Sequence, residues 1–316
     1  MKLTAPAREE APKSRVGVTE TTAPTMQVAA IILTKDEEKH LPQCIQSLEG
    51  LNAEVYVVDS GSTDATVQIA RDLGATVFSH PFANYAKQFN WALDNIPTRA
   101  PWILRIDADE RLHPRLASEL TRVLAQVPGD VTGLVVPLRV RFLGRDLRFG
   151  DAYPVWLLRL WRRGEGRCED RCMDEHIVLA WGRTLRVHGD LIHDVSKNLT
   201  QWIAKHNWYA TRECADIQSV GPSLVLDDAA GIRRRLKQSV YLRLPPFYRA
   251  FAYWFYRYFL RLGLLDGTPG LIYHFLQAFW YRFLVDAKLF EDRQKRRDAS
   301  QAPAHRAKPA PAAVKS

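Results

Sequence analysis

The sequence predicts an α/β fold in which short apolar strands alternate with helices and the functional loops follow the strands. Three observations carry this. Val28–Leu33 is a short apolar run rich in β-branched residues, and Leu41, Ile45 and Leu48 then recur at helical spacing. Val55–Val58 is a second such run, ending in the turn-forming string Asp59-Ser60-Gly61-Ser62-Thr63-Asp64, where Asp64 is placed to cap a helix carrying Val67, Ile69, Ala70 and Leu73. The alternation continues through a strand at Thr76–Phe78, a helix at Tyr85–Leu93, a strand at Trp102–Ile106 and a helix at Pro114–Leu124. Strands separated by helices imply parallel pairing.

From Thr132 to about Asp194 the pattern is mixed, with a strand-like Leu134–Val140 and alternating residues around Leu185–Ile192, as expected of the second half of the same domain. Thr200–Cys214 reads as a helix. The organisation expected is therefore a disordered N-terminal tail over residues 1–26, a catalytic domain over 27–232, a helical segment over 233–290 and a disordered basic tail over 291–316. The first tail has no charged start followed by an apolar core and a cleavage site, so it does not read as a secretion signal. Four scattered cysteines in 316 residues do not make a disulfide framework. Cys168, Cys172 and His176 lack the second ligand pair that a zinc site requires.

The formal charge is +9, but it is not evenly spread. Arg233–Arg297 holds fourteen basic residues against four acidic ones, leaving the rest of the chain near neutral. That distribution excludes a general nucleic-acid binder and points to a surface partner for the C-terminal block.

In open α/β sheets the ligand lies beyond the carboxyl ends of the strands, so chemistry is sought after Leu33, Val58 and Ile106. All three loops are acidic. Arg105-Ile106-Asp107-Ala108-Asp109-Glu110 places two carboxylates at i and i+2, on one side of an extended chain. Hard cations such as Mg²⁺ or Mn²⁺ take oxygen ligands of this kind and share them with substrate phosphates. Asp59 and its flexible turn could receive a base or ribose. An ordinary turn and a solvated acidic loop explain the same strings locally.

Taken in order, Thr34-Lys35-Asp36-Glu37-Glu38, then Val58-Asp59-Ser60-Gly61-Ser62-Thr63-Asp64, then Asp107-Ala108-Asp109 resembles the family 2 glycosyltransferases. Within that family it is similar to lipopolysaccharide-core β-glucosyltransferases and related bacterial envelope enzymes. The resemblance covers Val28 to about Tyr209 and implies a GT-A fold, a Rossmann-like mixed sheet with flanking helices. It implies inverting transfer from a nucleoside diphosphate sugar, a UDP-hexose, to a lipopolysaccharide-core or other lipid-linked acceptor. It places Thr34, Glu37, Asp59, Lys87 and Asp107 at the nucleotide, and Asp109, Asp107 and His193 at the metal. The commoner Asn-Glu after the first strand is Asp36-Glu37 here. A general base is needed to take the proton of the acceptor hydroxyl. The resemblance assigns it to Glu175 in Met173-Asp174-Glu175-His176-Ile177, with Asp174 as the alternative because neighbours on an extended chain face opposite ways. Lys205 and Tyr209 are further candidates for the neighbourhood of His193.

Two other readings compete: a nucleotidyltransferase using a similar sheet, and a non-catalytic membrane adaptor. The first expects a glycine-rich phosphate loop, and Thr34–Lys39 contains no glycine. The intact acids argue against the second. The C-terminal segment is itself informative, because Tyr241–Phe290 holds seventeen of the aromatic residues of the chain. Arg249, Arg257, Arg261, Asp266 and Arg282 break every apolar run short of a membrane span. Phe251, Trp254, Phe255, Tyr258, Phe259 and Leu262 share one side of a helix and Arg249, Arg257 and Arg261 another. The sequence thus predicts a helical hairpin lying on the membrane, and a cytoplasmic protein attached peripherally to the inner face of the bacterial inner membrane.

Overall fold

The computed structural model describes residues 27–169, 176–195, 198–219 and 244–301. Strand β1 (Val28–Thr34) is buried because it lies inside the sheet, flanked in parallel by β2 (Glu54–Asp59) and β4 (Trp102–Arg105). Strand β3 (Thr76–Ser79) extends the parallel half beyond β2. Helices α1 (Leu41–Ser47), α2 (Thr66–Asp72) and α3 (Tyr85–Asn95) make the connections. The N-cap of α2 is Ala65, one residue beyond the expected Asp64, whose carboxylate instead accepts from the backbone N–H and hydroxyl of Thr66 in the first turn.

The second half of the sheet is antiparallel in part. Strands β5 (Glu110–Leu112), β6 (Val131–Phe142), β8 (Val155–Arg162) and β12 (Leu191–Val195) complete the path β3-β2-β1-β4-β8-β6-β12-β5. The short strands β7 (Arg145–Asp146) and β11 (Arg183–Arg186) pair with β6 outside that path. Strands β9 (Gly166–Cys168) and β10 (Ile177–Leu179) form a separate antiparallel pair. One face of the sheet packs on α1 and on α4 (Pro114–Leu124) through Leu41, Ile45, Leu116 and Leu120. The other face packs on α3 through Phe89 and Trp161. This is the mixed sheet with flanking helices that the resemblance implies.

The C-terminal segment is helical, as its periodicity predicts, and two of its arginines, Arg249 and Arg257, face inward. Helix α6 (Tyr248–Phe255) continues as a π-helical turn to Leu260, a 3₁₀ turn spans Gly263–Asp266, and α7 (Gly267–His274) continues as a second π-helical turn to Trp280. Helix α8 (Tyr281–Gln301) follows and packs on α5 (Leu199–Ser219) through Tyr281, Val285, Ala210 and Cys214. Arg249 is buried in an ion pair with Asp286, and buried Arg257 donates from Nε to the carbonyl of Gly150. The aromatic side faces out: Phe251 is 55% and Leu260 65% exposed. Guanidinium groups find carboxylates and carbonyls inside, while unpartnered rings do not.

Helix α8 runs on through Gln301, past residue 291 where the sequence is read as turning into a tail. The pair Glu291–Lys295 supports that extension, and the first proline after it is Pro303. The remainder of that tail, the N-terminal 1–26 and residues 220–243 lie outside the described residues. No described helix is long and apolar enough to cross a membrane.

The seam between sheet and bundle depends on His274, which is wholly buried with neither ring nitrogen hydrogen-bonded. It lies against Gly150, where a Cβ would come within 2.3 Å of the ring and where φ is +65°. Burial, with Arg257 nearby, pushes the imidazole down to about 4. Between the ordinary histidine value near 6.5 and that value the unfolded chain binds a proton that the folded chain refuses, so stability falls as pH falls through this window. We expect the midpoint of urea unfolding to drop from pH 7 to pH 5, and His274→Gln to flatten that slope. An equally steep slope in the variant would refute the assignment.

Candidate active site

Three strand ends converge. With β2 on one side of β1 and β4 on the other, chain connections leave in opposite directions at the carboxyl ends of β1 and β4, which opens a crevice there. Thr34 ends β1, Asp59 ends β2, and the turn containing Asp107 and Asp109 follows β4.

On the β2 side, Asp59 is buried and organises its own loop. Its carboxylate accepts from the Thr34 hydroxyl at 3.0 Å, from the N–H groups of Gly61 and Ser62 at 2.8 Å each, and from the Ser62 hydroxyl. These four donors fill the usual lone-pair sites of a carboxylate. In this arrangement Asp59 holds the Ser60–Ser62 loop. Gln88 of α3 braces the same loop through the Ser60 hydroxyl. Asp36 sits in the left-handed region at φ 51°, which Asp and Asn tolerate better than most residues, and accepts from the Thr63 N–H at 2.7 Å. That bond holds its carboxyl below the ordinary range. Asparagine offers the same acceptor oxygen, which accounts for the Asp36-Glu37 variant. Glu37 pairs with His40 at 2.8 Å.

On the β4 side the strand ends at Arg105, and Asp107–Glu110 form a turn closed by the Glu110 N–H donating to the Asp107 carbonyl at 2.9 Å. The expectation of two carboxylates on one side of an extended chain is therefore corrected, because the turn sends them to different partners. Asp107 accepts from the Tyr85 hydroxyl at 2.7 Å and lies 3.4 Å from Arg159. Burial works against its charge, but Arg159 and Arg105 outweigh it and hold the carboxyl below the ordinary value. Asp109 faces His193 instead, with Oδ1 3.5 Å from Nδ1. Burial disfavours the imidazolium of His193, yet Asp109 and Glu110 prevail and the net shift is upward. Lys205 of α5 stands near Asp109, Tyr209 and Glu37, which raise its value against the effect of burial.

The structure thus brings Asp107, Asp109, His193, Lys205 and Glu37 into one neighbourhood, with Thr34 and Asp59 at the adjoining strand ends. Lys87 is exposed in the first turn of α3, and it is Tyr85, two residues earlier, that enters the carboxylate cluster. Asn90 of α3 is spent on the backbone of Cys168, donating at 2.8 Å and accepting at 3.0 Å. Asp174 and Glu175 lie outside the described residues, in the connection between β9 and β10. The ends of that connection meet where the Glu169 N–H donates to the His176 carbonyl at 2.9 Å.

Arg159 and Glu110 were not legible as site residues. Glu110 stands opposite His193 in the β5–β12 register and is ion-paired with buried Arg159. Burial, offset by Arg159 and reinforced by Asp107, pushes Glu110 up to about 7. The signal for Arg159 was its position as a lone charge inside the apolar strand Val155–Trp161, a residue that must have an anionic partner.

As to a cation, no three His, Cys, Asp or Glu side chains among the described residues gather tightly enough to enclose one. Asp109 and His193 nevertheless fit one chemically, since a carboxylate oxygen and an imidazole nitrogen suit Mg²⁺ or Mn²⁺ when phosphate oxygens complete the shell.

The family model described as Glycosyl transferase family 2 matches residues 29–174. A relative from Rhizobium meliloti strain 1021, the lipopolysaccharide core biosynthesis glycosyltransferase LpsC, is 32% identical over 275 residues, covering 85% of this chain and 93% of its own. The chain belongs to glycosyl transferase family 2. An uncharacterised glycosyltransferase of Rickettsia bellii is 41% identical over 278 residues, 84% of this chain and 87% of its own. Among solved structures, the mannosyltransferase PcManGT from Pyrobaculum calidifontis, in complex with GDP-Man and Mn²⁺, matches this family 2 enzyme with a TM-score of 0.52. That match has 16% identity and covers 84% of this chain and 87% of the other. The protein is a glycosyltransferase, and the nucleotidyltransferase and adaptor readings fall away.

Removing one member of a buried ion pair strands the other charge, whereas removing both does not. Arg159→Leu in this family 2 glycosyltransferase should lose about 3 kcal/mol of unfolding free energy, and Arg159→Leu with Glu110→Leu should regain most of it. Additive losses in denaturant titrations would show that the pair is not coupled.

Proposed function

We propose that this enzyme transfers a hexose with inversion from a nucleoside diphosphate sugar, a UDP-hexose, to a lipopolysaccharide-core or other lipid-linked envelope glycan. The observation that carries the reading is the position of the Asp107–Asp109 turn at the switch point beside β1, with His193 facing Asp109 from β12. The acceptor class draws on the relative named for lipopolysaccharide core biosynthesis.

Thr34, Glu37, Lys87 and the Ser60–Ser62 loop held by Asp59 are assigned to the nucleotide. Asp107, kept ionised by Arg159 and Arg105, is assigned to the ribose and the edge of the metal site. Asp109, with His193, is assigned to Mg²⁺ or Mn²⁺. When bound, the cation neutralises charge developing on the diphosphate leaving group. Lys205, near Asp109 and Glu37, is positioned to add a second positive charge toward the phosphates. Glu175 is assigned as the base that takes the acceptor proton, with Asp174 as the alternative.

The same reading makes the protein peripheral to the cytoplasmic face of the inner membrane. Its support is the outward aromatic face of the C-terminal bundle, where Phe251, Phe255, Phe259, Phe275 and Phe283 are all exposed. An apolar area of this kind on a soluble domain marks an interaction surface. The preponderance of basic residues in this segment favours an anionic one.

Asp109→Asn should lower kcat by at least about a hundredfold in a metal-supplemented assay of sugar transfer or donor hydrolysis, and chelator should do the same to the parent. Undiminished turnover of the variant in chelator would sink the metal assignment. Glu175→Gln should retain donor affinity measured by calorimetry while losing transfer. If Asp174→Asn behaves this way and Glu175→Gln does not, the base moves one residue.

A further inference from the structure

A groove of about 710 Å³ lies where the sheet meets the C-terminal bundle, away from the carboxylate cluster. Its floor and sides come from the β6–β7 turn and from the start of α7. Arg141, Arg145 and Arg148 line it, together with Asp146 and Asp266. The two acids are already committed. Asp266 is buried and accepts from the backbone N–H groups of Arg148 and Phe149 at 3.0–3.1 Å. Asp146 is shared between Arg139 at 3.4 Å and Arg141 at 3.2 Å.

Arg145 and Arg148 remain exposed, and among the described residues neither is ion-paired. Arg145 only donates to the Leu265 carbonyl, at 3.4 Å. That contact sets the Arg145 guanidinium beside the backbone of Leu265, which is exposed together with its neighbour Leu264, and exposed Leu143 and Phe149 line the groove. Two arginines free of carboxylate partners, with exposed Leu143 and Phe149 in the same groove and exposed Leu264 and Leu265 at the Arg145 contact, offer fork-shaped donors for phosphate near side chains able to enter acyl chains.

We propose that this groove binds the phosphate of an anionic membrane lipid, with Arg145 and Arg148 as its donors and Leu143, Phe149, Leu264 and Leu265 inserted beside it. The proposal rests on the peripheral-membrane reading and deepens it, because it separates headgroup recognition at the groove from apolar adsorption by the aromatic face of α6. Charge complementarity selects the occupant. An acidic peptide would satisfy the arginines but leave the four apolar residues in water, whereas a lipid surface satisfies both.

The test is sedimentation of the full-length protein with phosphatidylcholine vesicles, with and without about a quarter phosphatidylglycerol, comparing the parent with the Arg145→Gln/Arg148→Gln variant. The parent should prefer the anionic vesicles, and the variant should lose about tenfold or more of its affinity for them while keeping its affinity for neutral vesicles. Arg145→Lys/Arg148→Lys should lose less, and donor hydrolysis and the thermal transition should stay as in the parent. If the variant keeps the full anionic preference, the groove proposal is overturned and the membrane reading stands. If the parent binds neither kind of vesicle, both are overturned. Restoration of vesicle binding to the variant by two charge-restoring substitutions to arginine at exposed positions of α8 would also overturn it, since net charge alone would then account for the effect.

Discussion

Asp107, Asp109 and Glu110 place three carboxylates within four residues, and the rest of the site depends on how their repulsion is contained. The solution lies outside the loop. Arg159 reaches from the neighbouring antiparallel strand to both Asp107 and Glu110, and Arg105 and Tyr85 approach Asp107 from the other side. The result is a division of labour among like groups. Asp107 is held ionised, Glu110 is pushed up to about 7 by burial against the pull of Arg159, and Asp109 is left to face His193. Separating the properties of adjacent acids by their surroundings is a common way for one loop to serve several roles.

That containment explains why the sheet changes character after β4. A purely parallel sheet would follow β4 with another crossover helix and no strand running back beneath the turn. Here β8 runs antiparallel to β4 and supplies Arg159, while β12 runs antiparallel to β5 and sets His193 opposite Glu110. The parallel half contributes the strand ends and their loops, and the antiparallel half supplies the counter-charges. The buried apolar layers on both faces make those strand ends rigid enough for the distances to hold.

Much of this was legible in the sequence. The first four strands, the helix Pro114–Leu124 and the acidic loops are recovered because hydrophobic period and turn chemistry are local signals. The turn at Asp107–Glu110 was read as extended chain because an i, i+2 spacing looks alike in a strand end and in a turn. Arg159 and Glu110 escaped because their meaning arises only when β8 is laid beside β4, a pairing that sequence distance conceals. The inward arginines of the last bundle escaped for a related reason. A helical wheel sorts residues into two faces but does not say which face meets the protein, and the acceptors of Arg249 and Arg257 are contributed by remote segments.

The joints between the sheet and the last bundle have a consequence for biogenesis. Backbone groups at Arg148, Phe149 and Gly150 are satisfied by Asp266, Arg257 and Arg261, which are synthesised more than a hundred residues later. While the chain emerges from the ribosome, the edge of the sheet beside β6 must wait with these polar groups in water, and contacts of such long range close slowly. The segment that completes them also brings the outward aromatic surface, so the chain acquires its final fold and its most adhesive face in the same late step. A nascent enzyme of this design is least exposed to aggregation when that step takes place next to a surface able to receive those rings.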